Sequence, residues 1–266
     1  MRRRLVETST EAQALIAAGD VLASGVVATN AARLVDDSEP LLVTKRARFV
    51  GRGGEKLDAA LERFAVDVDG LRALDAGSST GGFTDCLLQR GASSVIAVDV
   101  GTRQLHERLR SDARVDVREQ TDIRSLDPDA LGGPADIVVC DVSFISIRTV
   151  ARSLVGLVAD RGVMVVLVKP QFEAARSEVS KGRGVISDPD IWRRCVAEAI
   201  DALSHAGTAI IDAMVSPLRG AEGNVEFLVL VGRHGHPDAP RVSSAPDRSS
   251  LIDALIAEAT IAQADR

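Results

Sequence analysis

The sequence predicts an α/β protein with a mostly parallel sheet and one antiparallel strand. Between residues 56 and 232, short apolar segments alternate with helical patterns. Nearly continuous apolar strands of this kind are typical of a parallel sheet that is covered on both faces. The last two apolar segments are only about ten residues apart, which is too short for a crossover helix, so the final strand should reverse its direction.

The predicted elements follow in order along this region. Strands are predicted at residues 73–74, 95–100, 115–118, 137–140, 163–168, 209–215 and 227–231. Helices are predicted at residues 80–90, 104–109, 147–158 and 191–206. A parallel sheet of this size that ends in one reversed strand resembles the sheet of class I methyltransferases, which is Rossmann-like.

Three further regions lie outside this main domain, which we place at residues 56–232. Residues 1–44 form a small N-terminal module with a helical pattern at 10–18 and strand-like pieces at 21–22 and 41–43. A polar, basic linker covers residues 45–55. In the C-terminal tail, 233–266, a polar stretch that we expect to be flexible precedes a helical pattern at 250–264.

Composition narrows the class of protein. The 266 residues carry a formal net charge of −6, which argues against a general nucleic-acid coat protein but leaves room for a local basic patch. The three cysteines have no CxxC spacing, so they indicate neither a metal site nor a disulfide framework and fit a reducing compartment. An apolar run of about 18 residues, as a membrane span requires, is absent. With no signal peptide recognisable either, the expected location is the cytoplasm.

A loop of small residues follows the first predicted strand of the main domain. It consists of Asp75, Ala76, Gly77, Ser78, Ser79, Thr80, Gly81, Gly82 and Phe83. Small residues at the carboxyl end of a strand let a ligand approach the backbone closely. The loop is not Gly-x-Gly-x-x-Gly, and its initial Asp75 disfavours a pyrophosphate. An acidic start suits a cofactor with a cationic amino-acid end, which S-adenosylmethionine has, although a plain strand-to-helix turn is the alternative.

Two further carboxylates are candidates for cofactor contacts. Asp99 ends the next predicted strand and could accept hydrogen bonds from a ribose diol. Asp122 follows the third strand, at the position where an adenine amino group is usually met; its alternative role is a helix N-cap.

Four charged residues lie at informative positions around this loop. Asp141 and Lys169 end the fourth and fifth predicted strands, and Glu226 begins the last one. Because an antiparallel strand beside the fifth presents its start at the carboxyl edge of the parallel strands, these three side chains should converge near the cofactor, with Asp141 contacting it. Lys56 needs only a short helix over the same edge to join them.

This set of side chains could activate a hydroxyl group. A ribose hydroxyl must lose its proton as a methyl group is transferred to it, and a lysine is a suitable base only when its pKa falls towards neutrality. A second ammonium nearby favours such a fall, whereas the two carboxylates oppose it. The alternative is that the site mainly orients the hydroxyl in line with the methyl group. The sequence leaves both accounts open.

Five segments resemble the TlyA family of haemolysin-like proteins. They are Gly-Gly-Glu-Lys-Leu (53–57), Asp-Ala-Gly-Ser-Ser-Thr-Gly-Gly-Phe (75–83), Cys-Asp-Val-Ser-Phe-Ile-Ser (140–146), Leu-Val-Lys-Pro-Gln-Phe-Glu (167–173) and Gly-Asn-Val-Glu-Phe (223–227). Members of that family are ribosomal RNA 2′-O-methyltransferases with an FtsJ-like catalytic domain. The resemblance spans roughly residues 5–232. It implies S-adenosylmethionine as cofactor, a catalytic tetrad of Lys56, Asp141, Lys169 and Glu226, and a cytidine target in ribosomal RNA or ribosomal subunits.

The resemblance also suggests which parts face RNA. Residues 8–43 resemble the second half of an S-four-like RNA-binding module, so the module is expected to lack most of its first helix. The linker residues Lys45, Arg46, Arg48 and Arg52 are candidate phosphate contacts. The long segment 170–189 is predicted to be a lid that orders over RNA. Its candidate contacts are Arg176, Lys181 and Arg183. The alternatives without RNA binding are a solvated linker for the first segment and a simple surface insertion for 170–189.

Other functions are less compatible with the sequence. A membrane-active haemolysin lacks an inserting segment, and the C-terminal helix has no basic face. A non-catalytic RNA-binding or ribosome-assembly factor would not need the tetrad. A small-molecule methyltransferase would leave the basic linker and the N-terminal module without a purpose. The sequence indicates no metal and no membrane partner, and it does not give the oligomeric state.

Overall fold

The protein is described by a computed structural model that covers residues 3, 5–6, 8–17, 19–44, 48–220, 222–233 and 248–264. The chain forms two compact units, Met1–Arg48 and Phe49–Arg266.

The N-terminal unit contains one helix and a small antiparallel sheet. Its elements are α1 (Ser9–Ala17), β1 (Val21–Ala23), β2 (Val26–Val27) and β3 (Leu41–Val43), with the strand order β2-β1-β3. The predicted helix and two strands are confirmed, whereas β2 was not predicted. Ser24 and Gly25 join β1 to β2 with φ values of 52° and 81°, the two-residue turn that favours a tight hairpin. The S-four-like assignment of this unit stays a prediction.

The boundary between the units differs from the predicted one. Residues 49–55 were assigned to a linker, but Phe49 is buried in the core of the second unit together with Leu57. The backbone amide of Val50 donates a hydrogen bond to Asp85 Oδ2 at 2.9 Å. These apolar residues tie the end of the predicted linker to the main domain, which therefore begins at Phe49 rather than at Lys56.

The second unit alternates strands and helices. Its elements are α2 (Gly53–Arg63), β4 (Arg72–Ala76), α3 (Gly82–Gln89), β5 (Ser94–Val98), α4 (Glu107–Arg110), β6 (Val115–Arg118), β7 (Ala135–Cys140), α5 (Ile147–Leu157), β8 (Val158–Val168), α6 (Pro170–Glu173), α7 (Arg176–Lys181), α8 (Pro189–His205), β9 (Thr208–Val215), β10 (Phe227–Arg233) and α9 (Arg248–Ala264). All seven predicted strands are present, and short 3₁₀ turns lie at Ile123–Ser125 and Asp129–Leu131.

The seven strands form one sheet in the order β6-β5-β4-β7-β8-β10-β9. The pairs β5–β6, β4–β5, β4–β7 and β7–β8 are parallel, and β10 is antiparallel to both β8 and β9. The predicted single reversed strand is therefore confirmed. Because Phe227 is paired with Val168, the start of β10 lies at the edge where β8 ends.

Apolar helices cover both faces of this sheet. Helices α5, α8 and α9 contribute buried residues to one core cluster, and α2 and α3 contribute to the other. Trp192 on α8 is fully buried, packs edge-on against Phe227 at 6.1 Å and donates its indole N–H to the Ile186 carbonyl. Trp192 is therefore a packing residue of the core. The predicted C-terminal helix is also confirmed, and it belongs to the core rather than to a tail. The stretch predicted to be flexible lies mostly at 234–247, outside the described residues.

The segment 170–189 is not one continuous loop, as the sequence had suggested. It contains the short helices α6 and α7. Its far end is fixed by Asn224, whose side chain accepts a hydrogen bond from the Ile186 amide and donates one to the Gly184 carbonyl, both at 2.9 Å.

Two findings bear on membranes and metals. Among the described residues, no helix is long and apolar enough to cross a bilayer. Within the same part of the chain, no three His, Cys, Asp or Glu side chains are grouped to hold a metal ion.

Candidate active site

The four charged residues that the sequence singled out form two lysine–carboxylate pairs. Lys169 Nζ lies 2.5 Å from Asp141 Oδ1. Lys56, in the first turn of α2, donates a hydrogen bond to Glu226 Oε2. Asp141 and Lys169 directly follow β7 and β8, and Glu226 directly precedes β10, so the sheet topology brings the pairs to one edge.

The two pairs also influence each other electrostatically. Burial raises the pKa of Asp141, whereas Lys169 and, more weakly, Lys56 lower it, and Glu226 adds a further upward contribution. The structure brings the two pairs to the same edge of the sheet, and their catalytic role stays a prediction.

Next to the Lys169–Asp141 pair lies a cleft of about 180 Å³. It is lined by Gly53, Gly77, Ser78, Ser79, Thr80, Gly82, Phe83 and Asp141. Most of these belong to the small-residue loop between β4 and α3. Gly77 has φ +85°, and a Cβ atom there would lie 2.7 Å from the Asp141 carbonyl oxygen. Gly81, at the N-cap of α3, has φ +98°. Larger residues at these two positions would strain the loop and move it from the strand ends.

Asp75, at the start of this loop, is completely buried. Its Oδ2 atom accepts a hydrogen bond from Thr84 Oγ1 at 2.6 Å, while Oδ1 has no hydrogen-bond partner among the described residues. Burial raises the pKa of Asp75 to about 7, and the charges of Asp141 and Asp99 add to that rise. A carboxylate in this setting would be stabilised by a cationic ligand group.

The other two cofactor candidates differ in their surroundings. The Asp99 carboxylate accepts backbone N–H bonds from Ser79 at 2.8 Å and from Gly101 at 2.7 Å, so it is fixed at the mouth of the loop. Asp122 is the N-cap of the first 3₁₀ turn and pairs with Arg124, which lowers its pKa to about 2. The capping role weighed for Asp122 is thus present, and its adenine contact stays a prediction.

The sequence assigned no part in the site to Ser143 or Phe144. Ser143 Oγ accepts a hydrogen bond from Lys169 Nζ at 2.9 Å. The Phe144 ring is 91% exposed, with its centroid 5.0 Å from that of Phe172. Their proximity to Asp141 in the sequence was the only signal, because both contacts cross between segments that follow different strands.

The residues predicted to contact RNA lie in different surroundings in the structure. Arg176, Lys181 and Arg183 are exposed, and none of their side chains makes a hydrogen bond or ion pair with another described residue. Arg52 donates a hydrogen bond to the Arg219 carbonyl at 2.7 Å. Arg48 is exposed at the end of the N-terminal unit. Lys45 and Arg46 lie outside the described residues.

Known proteins share both the sequence and the fold. The FtsJ-like methyltransferase family matches residues 49–233. The "16S/23S rRNA (cytidine-2′-O)-methyltransferase TlyA" of Mycobacterium tuberculosis is 45% identical over 232 residues, which are 86% of each chain. The chain belongs to the TlyA family of FtsJ-like methyltransferases. The family boundary at residue 49 agrees with the start of the second compact unit.

Solved structures extend the family likeness. A candidate hemolysin from Streptococcus thermophilus has a TM-score of 0.78 and 34% identity, covering 99% of this chain and 95% of that one. A candidate S-adenosylmethionine-dependent methyltransferase from Listeria monocytogenes has a TM-score of 0.51 and 17% identity, covering 69% and 99%. The latter likeness shows the fold alone. The catalytic unit of this TlyA-family chain thus has the predicted class I methyltransferase fold.

Proposed function

We propose that this protein transfers a methyl group from S-adenosylmethionine to the ribose 2′-hydroxyl of a cytidine in ribosomal RNA. The observation that carries the proposal is the pair of lysine–carboxylate contacts at the sheet edge, directly beside the small-residue cleft. The activity named for the relative from Mycobacterium tuberculosis supports the reaction and the cytidine target.

The residues around the cleft fit this cofactor. When bound, S-adenosylmethionine supplies an electrophilic methyl group on a positively charged sulfur. Asp75 Oδ1, which has no described partner, is an acceptor for the ligand's ammonium group. Each Asp99 oxygen accepts one backbone bond and keeps lone-pair capacity for ribose hydroxyls. The negative charges of Asp75, Asp99 and Asp141 favour a ligand that carries positive charge.

Lys169 is the residue best placed to act on the target hydroxyl, because its partner Asp141 lines the cleft. Two accounts of its action agree with this position. As a base, Lys169 accepts the hydroxyl proton while the oxygen attacks. As an orienting group, it holds the oxygen in line with the methyl group. In either account Asp141 fixes the amine, and Lys56 with Glu226 supports the edge of the site.

Ribosomal RNA or a ribosomal subunit is the substrate that best explains the surface near the site. Arg52, Arg176, Lys181 and Arg183 offer cations for phosphates. The aromatic pair of Phe144 and Phe172 offers a surface for a nucleobase beside Lys169. A ribosomal substrate supports the proposal that the protein acts in the cytoplasm.

The test is methyl transfer to purified ribosomal subunits. The full chain is incubated with S-adenosylmethionine labelled on the methyl group and with subunits from cells that lack the corresponding gene. We expect label on cytidine, at a position whose 3′ bond resists alkaline cleavage. The Lys169→Ala variant should bind the cofactor in calorimetry and transfer no label.

Each contrary result has a defined meaning. Cofactor binding without label on any ribosomal RNA would contradict the substrate class. Absence of cofactor binding would favour a non-catalytic RNA-binding or assembly factor. Label that is lost in alkali would place the methyl group elsewhere than on the 2′-oxygen.

A further inference from the structure

Besides the Lys169–Asp141 pair, three contacts join two segments at the site, and they run in the same order along both. One segment follows β7 and spans residues 141–147; the other follows β8 and spans residues 169–173. The first contact is the hydrogen bond from Lys169 to Ser143, and the second is the ring contact of Phe172 with Phe144. Glu173 makes the third, to the start of α5.

Glu173 is the anchor of this arrangement. The residue is 3% exposed, and its carboxylate accepts the Ile147 backbone N–H at 2.6 Å and a further hydrogen bond from Ser146 Oγ. Arg148 donates to the Glu173 carbonyl oxygen at 2.8 Å. Burial raises the pKa of Glu173, so this carboxylate is held at some cost in free energy. Its bonds fix the end of the 141–147 segment to the helix that directly follows Lys169.

The backbone between these contacts is also constrained. Phe144 has φ +64°, a left-handed conformation that costs a non-glycine residue about 1 kcal/mol or more. Such a conformation persists when the surrounding contacts determine it. Phe144 lies between Ser143 and the two residues that Glu173 binds, Ser146 and Ile147. Its backbone conformation therefore determines the position of the Ser143 hydroxyl.

Ser143 gives the Lys169 amine a defined direction. The lysine nitrogen is buried, with Asp141 Oδ1 at 2.5 Å and Ser143 Oγ at 2.9 Å. Besides its bond to Cε, the lysine nitrogen has three tetrahedral positions, and with two of them turned towards these oxygens one direction remains. With Asp141 as the only partner, the amine could rotate about its Cε–Nζ bond. Ser143 therefore selects one orientation of the atom that acts on the hydroxyl.

We propose that Ser143 is a positioning residue for Lys169 and that Glu173 acts through it by fixing the 141–147 segment. This inference rests on the proposed methyl transfer, since it assigns a role in the same site. It concerns the rate of the chemical step rather than the binding of either substrate.

The test compares Ser143→Ala with Ser143→Thr, which keeps the hydroxyl. We expect Ser143→Ala to lower kcat by about ten-fold, the effect of one hydrogen bond, with KM for cofactor and subunits unchanged. Ser143→Thr should recover most of the rate. Ser111→Ala, which removes an exposed hydroxyl from the residue that caps the C-terminus of α4, is the matched control and should keep the wild-type kcat.

Three results would overturn the role of Ser143. One is a wild-type kcat in Ser143→Ala, and another is an equal loss in Ser143→Ala and Ser143→Thr. The third is a raised KM for subunits at unchanged kcat, which would make Ser143 an RNA contact. Failure of the proposed function is distinguishable, because then the wild-type chain itself would label no ribosomal RNA.

Glu173 is tested by a double-mutant cycle. Glu173→Ala should lower kcat as Ser143→Ala does, while Glu173→Gln, which can still bond to Ser146 and Ile147, should stay near wild type. If Glu173 acts through Ser143, the Ser143→Ala/Glu173→Ala double variant is no slower than Ser143→Ala alone. Additive losses would overturn the link between the two residues. Thermal unfolding of each variant verifies that the compared proteins are folded.

Discussion

The two lysine–carboxylate pairs of the site have the same chemistry but different surroundings. The side chains of Lys56 and Glu226 are 9% and 3% exposed. In the other pair, the Lys169 side chain is 10% exposed, but that of Asp141 is 23% exposed and borders the cleft. Lys169 has an additional neutral partner in the exposed Ser143.

The difference in exposure suggests that one pair stabilises the site and the other can reach a substrate. A buried ion pair gains little net stability, but removing one of its partners leaves an uncompensated charge that is costly. The Lys56–Glu226 pair therefore acts as an internal brace between α2 and β10. The Lys169–Asp141 pair borders the cleft, and it is the pair that we propose to meet a substrate. Asp75 completes the comparison as a buried carboxylate for which no described lysine or arginine is a hydrogen-bond partner.

The largest expected effect separates the two accounts of Lys169. Lys169→Arg keeps a cation near Asp141 but cannot accept a proton near neutral pH. If Lys169 is a base, kcat should fall by about 10²- to 10⁴-fold with cofactor affinity retained. A loss below about ten-fold, measured in single-turnover assays with saturating subunits, would favour orientation instead.

Stability should distinguish the brace from the active pair. Glu226→Ala leaves Lys56 buried without its partner and should lower the free energy of unfolding by about 3–5 kcal/mol. Asp141→Ala should cost only about 1–2 kcal/mol, because water can reach that site. Urea denaturation measures both values. Equal losses would show that the two pairs are energetically alike.

A matched double variant sharpens the stability comparison. Lys56→Met combined with Glu226→Leu removes both charges and fills the space with apolar atoms. It should recover much of the stability lost in Glu226→Ala, since apolar replacement of a buried pair is often neutral or better. Methyl transfer would stay impaired if the brace also contributes charge to the site.

Asp75 should make cofactor binding depend on pH. Its carboxyl group has a pKa of about 7 in the free protein, and a cationic ligand lowers that pKa by favouring the ionised form. Affinity should therefore rise by roughly eight-fold between about pH 6 and pH 7.5, with release of a proton on binding. The window ends there because the ligand's own α-amino group begins to lose its proton near pH 8.

Calorimetry in buffers of different ionisation enthalpy measures this proton release. Asp75→Asn keeps an acceptor for Thr84 but cannot ionise, so it should bind the cofactor more weakly and with a flat pH profile. A wild-type profile in Asp75→Asn would assign the pH dependence to another group.

The smallest effect concerns a cation with no described partner. Lys181→Ala should weaken subunit binding about three-fold and reduce the slope of log affinity against log salt by about 1, as expected for one phosphate contact. Arg124→Ala is the control, because Arg124 is already paired with Asp122. Filter binding at several salt concentrations measures both slopes, and equal slopes would remove Lys181 from the RNA surface.

The sequence predicted the sheet edge well because strand order and polarity decide which residues meet there. Asp141, Lys169 and Glu226 could be placed without any side-chain contact, since each adjoins an end of a predicted strand. The short helix required for Lys56 is present as α2. The seven strands were recognisable because buried strands are nearly continuous apolar runs.

The features that the sequence did not predict depend on contacts between segments that are distant in sequence. The apolar character of Phe49 was masked by its basic neighbours, so its burial against α2 could not be inferred. Helices α6 and α7 are too short for a periodic pattern. The hydrogen bond between Ser143 and Lys169 depends on the left-handed backbone of Phe144. A phenylalanine gives no sequence signal for that conformation.

The position of β10 determines at which stage of synthesis the four charged residues can come together. Glu226 is the last of the four charged residues to be synthesised, and its strand must insert between β8 and β9. A nascent chain that ends before Glu226 holds Lys56 with no carboxylate from this strand and a sheet with a gap. If these four residues form the catalytic set, as we propose, a functional site arises only after translation has passed the final strand.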